Sequence, residues 1–104
     1  MLASINIGNV NSDTQIYAVP AQKRTALSVS VVNRAASAVR IRLALVASGA
    51  TGPAADGSSY IEYDTLVPAN TVLERTGLVM LTGQMLFART DTLGVNVVAY
   101  GIEE

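Results

Sequence analysis

The segment that decides the fold runs from Leu27 to Leu45 and reads LSVSVVNRAASAVRIRLAL. Apolar and polar residues alternate over Leu27 to Val31 and largely alternate again over Val39 to Leu45. Such a period of two is typical of a half-buried strand, because successive side chains point to opposite faces. The short stretch from Asn33 to Ser37 predicts a turn that joins the two strands as an antiparallel hairpin, with both apolar faces on one core.

Similar alternation, interrupted by turn residues, predicts further strands along the chain. They cover Asp13 to Val19, Ser59 to Leu66, Thr71 to Leu81, Met85 to Thr90 and Val95 to Tyr100. Seven or eight short strands separated by turns indicate an all-β fold, either an antiparallel β-sandwich or a jelly-roll-like barrel. Gly77, inside one of these strands, predicts a bulge or a close approach of another backbone segment. The alternative of a helix over Ala35 to Val46 would spread its apolar residues around all sides.

The length of 104 residues predicts one domain. We expect the β-sandwich to occupy residues 14–104, preceded by an N-terminal arm or edge strand over residues 1–13. The predicted core consists of the alternating apolar residues Leu27, Val29, Val31, Val39, Ile41, Leu43, Leu45, Val95 and Val97.

The composition excludes several classes of function. The chain contains seven Lys and Arg and eight Asp and Glu, which give a net charge of −1. No positive field therefore favours a nucleic-acid partner. The first ten residues lack the pattern of a signal peptide and the apolar stretches are too short for a bilayer, so we expect cytoplasmic synthesis and no membrane partner. Half of the residues are apolar and only 14% are charged, which favours self-association.

The residue types also argue against catalysis. The absence of cysteine and histidine excludes disulfides, thiolate and imidazole chemistry and most zinc or copper sites. Asn9, Asn11 and Asp13 follow the first ligand spacing of a calcium-binding EF-hand loop. Thr14 and Pro20, however, stand where that loop needs glycine and glutamate. We therefore expect no enzymatic activity, no metal and no other cofactor.

Two carboxylates, Glu62 and Asp64, lie two residues apart in a predicted strand and should share one face. Acid–base catalysis would require environments that separate their pKa values. A solvent-facing row that includes Tyr60 and faces Arg40 and Arg42 would form cross-strand charge pairs instead. The pattern therefore favours a structural role for this row.

The four tyrosines, Tyr17, Tyr60, Tyr63 and Tyr100, are candidates for stacking on sugar rings. Strict alternation places Tyr60 and Tyr63 on opposite faces of their strand, where they could not line one groove. We therefore expect buried strand tyrosines rather than a carbohydrate platform.

Two segments are candidates for contact with partners. The N-terminal segment offers the isolated apolar anchors Leu2, Ile5, Ile7 and Val10, and the small-residue loop Ser48 to Ser58 offers Gly52 and Pro53. The first segment would dock as an arm, or residues 4–7 would pair as a strand within the domain. The loop would order against a neighbouring subunit, or would be a long mobile connection from one sheet to the other.

Three segments carry a family resemblance: NRAASAVRIRLALVASG from Asn33, YIEYDTLVPANTVLERTGLVM from Tyr60 and VAYGIEE from Val98. An N-R turn opens an alternating strand, a strand ends in P-A-N and leads to T-G, and a Y-G stands close to the last residue. In this order the segments resemble a family of small all-β virion proteins encoded by tailed bacteriophages.

The resemblance implies a non-enzymatic structural subunit, located in the virion after synthesis in the host cytoplasm and present in many copies. It implies a capsid decoration or cement protein that binds and stabilises the particle surface. The alternative is a tail or baseplate-associated structural module, or a module that binds glycans of the host surface. The partners would be the major capsid protein or tail proteins, together with further copies of the chain as a homo-oligomer, with a trimer favoured.

Overall fold

The computed structural model describes all residues from Met1 to Glu104 and contains eight β-strands and no helix. Accordingly, no helix of a length and apolarity suited to crossing a membrane is found. The strands are β1 (Ala3–Asn6), β2 (Thr14–Ala18), β3 (Thr25–Asn33), β4 (Val39–Val46), β5 (Tyr60–Val67), β6 (Val72–Met80), β7 (Met85–Thr90) and β8 (Val95–Glu103).

The strands form two four-stranded antiparallel sheets. The first sheet has the order β1-β8-β3-β6 and the second sheet has the order β2-β7-β4-β5. Within these sheets β1 pairs with β8, β2 with β7, β3 with β6 and β4 with β5, all antiparallel. The prediction of an all-β, sandwich-like fold with seven or eight antiparallel strands is confirmed.

The core lies between the two sheets and draws on both. Its 18 buried apolar residues include Val29 and Val97 from the first sheet and Ile41 and Leu43 from the second. Eight of the nine predicted core residues are buried, and Leu45 packs against the edge of the same cluster while remaining partly exposed. Alternation therefore identified the inward face of the long strands correctly.

The predicted hairpin between β3 and β4 is wrong. The two strands lie in different sheets, so residues 34–38 cross from one side of the sandwich to the other. β3 pairs instead with β6 and β8, and β4 pairs with β5 and β7. A tight turn and a crossing connection have similar local sequences, and both allow the two strands to bury their apolar faces in one core.

The connection from β4 to β5, called here the β4–β5 loop (residues 47–59), does not cross between sheets, contrary to the prediction. β4 and β5 are neighbours in the second sheet, so the loop returns the chain to its own sheet. It is built from hydrogen-bonded turns, in which the Gly57 amide donates to the Ala54 carbonyl at 3.0 Å and the Ala54 amide donates to Ser59 Oγ at 3.0 Å. These bonds satisfy backbone groups of the loop that have no neighbouring strand to pair with.

The N-terminal segment forms an edge strand rather than a free arm. β1 pairs with β8 along the register from Ala3 opposite Ala99 to Asn6 opposite Asn96. Ile7, which follows it, is only 2% exposed and belongs to the main core. The predicted bulge at Gly77 is confirmed, because the pairing of β3 with β6 shifts register between Leu27 and Val29, beside Gly77 at φ 73°.

Candidate functional site

The six residues predicted to contact partners are distributed over two parts of the fold. Leu2 and Ile5 pack against the core and Ile7 is buried within it, so none of these three is a free anchor. Val10 remains exposed beyond β1. Gly52 and Pro53 are half-buried in the β4–β5 loop, and of the six residues only Pro53 lines a groove.

That groove lies on the outer face of the second sheet, where the β4–β5 loop folds over the strands. Its volume is about 500 Å³. The residues that line it come from the segment before β2, from β4, from the loop and from β5. They are Asp13, Arg42, Pro53, Ala54, Ala55, Asp56, Gly57, Tyr60 and Tyr63. We refer to it as the tyrosine groove.

Tyr60 and Tyr63 form one aromatic pair, so the prediction that they lie on opposite faces is wrong. Their ring centroids are 5.2 Å apart and the rings are inclined at 76° in an edge-to-face arrangement. The prediction that the strand tyrosines are buried holds for Tyr17 but is wrong for Tyr63 and Tyr100, which are 58% and 39% exposed.

The cause of the aromatic pairing is a pair of register shifts in β5. Ile41 faces Thr65 but Leu43 faces Glu62, which leaves two residues opposite Arg42. Asp64 occupies this bulge with φ at 51°. Ala44 then faces Tyr60, so Ile61 is a second extra residue and returns Tyr60 to the face of Tyr63.

One residue of the sequence, Asp64, gives a weak indication of a bulge. Aspartate tolerates the left-handed backbone region better than most residues, so its presence in the middle of a strand is compatible with a bulge. Nothing local, however, distinguishes such an aspartate from one that faces solvent in a regular strand. The alternation pattern therefore assigned Tyr63 to the wrong face.

Arg42 holds the aromatic pair in place. Its guanidinium carbon lies 4.1 Å from the centroid of the Tyr63 ring and 5.6 Å from that of Tyr60. Its Nε and Nη2 donate to the two carboxylate oxygens of Asp64 at 2.7 and 3.2 Å, a two-pronged pair. These bonds raise the pKa of Arg42 and lower the pKa of Asp64, so both groups stay charged at neutral pH.

The predicted charge row is only partly right. Arg42 pairs with Asp64 as expected, and Arg40 donates to the Asp64 backbone carbonyl at 3.2 Å. Glu62 instead forms an ion pair with Arg75, a residue of β6 in the first sheet. This pair bridges the two sheets at the β5 and β6 edge and takes Glu62 out of the solvent-facing row.

The remaining charged groups of the groove, Asp13 and Asp56, accept hydrogen bonds. The Tyr60 hydroxyl donates to Asp13 Oδ1 at 3.4 Å, and Arg89 lies 4.0 Å from the other oxygen of Asp13. Asp56 accepts from the Ser58 amide at 2.9 Å, and hydrogen bonds from Ser58 lower the pKa of Asp56. No three acidic side chains converge to form a group that could hold a metal ion. The groove thus combines an aromatic pair, one fixed cation and two carboxylates.

A second surface is the outer face of the first sheet, called here the apolar face. Ile102, Ala26 and Val79 form one cross-strand row, and the large side chains of Ile102 and Val79 are 64% and 65% exposed. Tyr100 lies in the next row, and Val72 at the far end of β6 is also exposed. The charged side chains on this face are Glu74 in β6 and, at the row of Val32, Arg34, which donates to Asn96 at 2.7 Å.

The apolar face contains a shallow depression of about 260 Å³ beside Tyr100. It exists because Gly77 and Gly101 contribute no side chains to its lining. A Cβ at position 101 would lie 2.1 Å from the carbonyl oxygen of Ala26 in β3. The close approach of β8 to β3 therefore requires glycine at this position.

Comparisons of the chain with protein-family models, with curated proteins and with solved structures return no match. Function is therefore inferred from the tyrosine groove, the apolar face and the sequence resemblance.

Proposed function

We propose that the chain is a non-enzymatic structural subunit of a tailed bacteriophage particle, acting as a capsid decoration or cement protein in many copies. The observation that carries the proposal is the apolar face. Val79, Ile102 and Tyr100 expose apolar surface on a sheet face with almost no charge. Contiguous apolar patches on small proteins mark surfaces that another molecule covers.

The strand order supports this proposal. The chain runs out through β1 to β4 and returns through β5 to β8, with each returning strand paired to an outgoing one. We infer that this nested pairing is the double-sheet jelly-roll plan, which occurs in viral capsid proteins among other classes. Because one fold serves many functions, the plan is compatible with the proposal but does not carry it.

We assign the apolar face to contact between copies of this chain, as a homo-oligomer in which the resemblance favours a trimer. Three strands of nine residues, β8, β3 and β6, present this face. At ordinary strand spacing and rise they cover about 14 by 30 Å, roughly half of the area that each partner contributes to a standard interface. Self-association in solution should therefore be weak, and attachment of many copies to one particle would strengthen it.

Replacement of Val79 or Ile102 with lysine tests the assignment. The wild-type chain should associate as its concentration rises, and each variant should remain a 10.8 kDa monomer in sedimentation velocity. Leu93→Lys is the matched control, because Leu93 is 55% exposed in the turn before β8 and lies outside the apolar face. The control should associate like the wild type.

The same variants should be tested in particle assembly. Phage particles produced with Val79→Lys in place of the wild-type chain should lack the subunit, whereas Leu93→Lys should be incorporated. Incorporation of Val79→Lys and Ile102→Lys at wild-type levels would contradict the assignment. If the subunit is found on the tail or baseplate, the structural role still holds, and the partner is a tail protein rather than the capsid protein.

A further inference from the structure

We propose that the tyrosine groove binds a neutral oligosaccharide. The groove is on the outer face of the second sheet, whereas the apolar face is on the first, so occupancy of one leaves the other free. The inference does not depend on the assembly role, and failure of either proposal leaves the other intact.

The aromatic pair supplies the stacking surface. Tyr63 is 58% exposed although Arg42 lies against its ring, so a large part of the ring remains open to solvent. The electron-rich face of a phenol ring attracts the weakly positive C–H groups on one side of a pyranose ring. The second tyrosine, Tyr60, meets the first nearly at a right angle and forms a corner in the groove.

The polar groups supply the specificity for hydroxyls. Asp13 and Asp56 are carboxylates on the groove lining, and each has lone pairs beyond those used by its present partners. Sugar hydroxyls would donate to them in charge-assisted hydrogen bonds, which are stronger than bonds between neutral groups. The Tyr60 hydroxyl can accept a hydrogen bond from the same ligand.

The charge balance selects a neutral ligand. Asp64 pairs with Arg42 and Arg89 lies 4.0 Å from Asp13, so most charges at the groove are balanced. Asp56 is the one lining carboxylate without a paired cation, and it would repel an anionic saccharide. A cationic ligand would meet the guanidinium of Arg42 against the aromatic pair. A polyol carries no net charge and can donate to the carboxylates, so it matches the groove better than either ion.

The groove is also preformed. Its volume of about 500 Å³ lies within the usual range for small-molecule sites. The bulge at Asp64 and the two-pronged Arg42–Asp64 pair fix Tyr63 before any ligand arrives. Pro53, Ala54 and Ala55 form a wall of small side chains, which leaves the space open. Little conformational entropy would therefore be lost on binding.

Tyrosine fluorescence provides the readout, because the chain has four tyrosines and no tryptophan. The full chain is titrated with chitotetraose, cellotetraose, maltotetraose and mannotetraose. Sialyllactose and a tetralysine peptide serve as anionic and cationic probes. We expect a saturable change with at least one neutral tetrasaccharide and none with the charged probes.

Tyr63→Ala should weaken that binding by about tenfold or more. Asp56→Asn should weaken it several-fold, and because Asp56 is exposed this variant leaves the core untouched. The matched control is Tyr100→Ala, which removes a partly exposed tyrosine of the apolar face. The control should retain wild-type affinity.

Three results would overturn the proposal: no saturable change with any neutral probe, saturation only with a charged probe, or equal affinity of wild type and Tyr63→Ala. Circular dichroism verifies that each variant keeps its strands. Sedimentation of Tyr63→Ala, in which the apolar face is intact, shows separately whether assembly is preserved.

Discussion

Asn33 fixes the path of the chain between the two sheets with a single buried side chain. Its Nδ2 donates to the carbonyls of Ser37 at 2.9 Å and of Val67 at 3.1 Å, and its Oδ1 accepts from the Ala35 amide at 2.9 Å. The residue is 1% exposed. It therefore fastens the crossing segment to the end of β5. A hairpin at this point would not need such a bond.

Asn33→Ala should reduce the free energy of unfolding by about 2 to 4 kcal/mol, because it leaves buried backbone groups without partners. Urea denaturation measures the loss. Asn6→Ala is the matched control, since Asn6 is exposed and its side chain accepts one hydrogen bond from Arg34. The control should change stability by about 0.5 kcal/mol or less. An equal effect of the two substitutions would show that Asn33 does not fasten the crossing.

Tyr17 joins the two sheets through its hydroxyl. It belongs to β2 in the second sheet, and its oxygen bonds to Thr25 Oγ1 at 2.8 Å and to the carboxylate of Glu103, both in the first sheet. Burial raises the pKa of Tyr17 above its ordinary value of 10.0, and the bond to Glu103 acts in the same direction. The folded state therefore favours the protonated phenol.

This shift predicts how stability falls in alkaline solution. Below pH 10 both states carry the proton and the contribution of Tyr17 is fully present. Above pH 10 the unfolded chain releases the proton first, so stability declines until the folded-state pKa is passed. Urea midpoints measured from pH 8 to pH 11 should fall less steeply in Tyr17→Phe than in the wild type and in Tyr100→Phe. Parallel slopes for all three would contradict the pKa direction.

At the scale of the strands, alternation predicted which segments are extended and which face is buried. Val29 and Ile41 are buried as expected, because every second residue of a strand points to its inward face. Strand partners were not predictable in the same way. Local sequence predicts a hairpin after Asn33, yet the partners of β3 lie far along the chain, from Val72 opposite Val32 to Glu103 opposite Thr25.

The tyrosine groove was missed for a related reason. A bulge shifts alternation by one residue, and β5 has two such shifts, one between Glu62 and Thr65 and one between Tyr60 and Glu62. Its position depends on the register against β4, which is a contact between segments distant in sequence. The sequence presents Tyr60 and Tyr63 as candidates for sugar stacking, but alternation predicts buried tyrosines on opposite faces and therefore argues against a shared groove.

The contact between β3 and β8 depends on Gly101. Gly101→Ala would place a Cβ 2.1 Å from the Ala26 carbonyl oxygen and 2.7 Å from the Leu27 Cα, both backbone atoms. Relief requires the strands to separate locally, at a cost of about 1 to 3 kcal/mol in unfolding free energy. In Gly8→Ala, the control, the added Cβ meets no atom within 4 Å, so urea denaturation should give a near-neutral result. If Gly101→Ala does not change the free energy of unfolding, β8 lies farther from β3 than the 2.1 Å distance implies.

At the scale of the whole molecule, the two outer faces of the sandwich differ in charge. The second sheet carries Arg40, Arg42, Asp64 and Arg89 on its outer side, whereas the outer side of the first sheet carries Glu74 and, at one end, Arg34. The chain has 14% charged residues, and this uneven distribution concentrates its exposed apolar surface on one side. In a free monomer the apolar face stays exposed to water, whereas in an assembly of repeated subunits each contact can cover it.

The most direct test of the structural role is a cryo-electron microscopy map of the phage particles, in which the chain is located and its copies are counted. The account predicts many symmetry-related copies on the particle, each with Val79 and Ile102 covered by a neighbouring copy. Particles that contain no copy of the chain, or copies whose apolar face points into solvent, would contradict it.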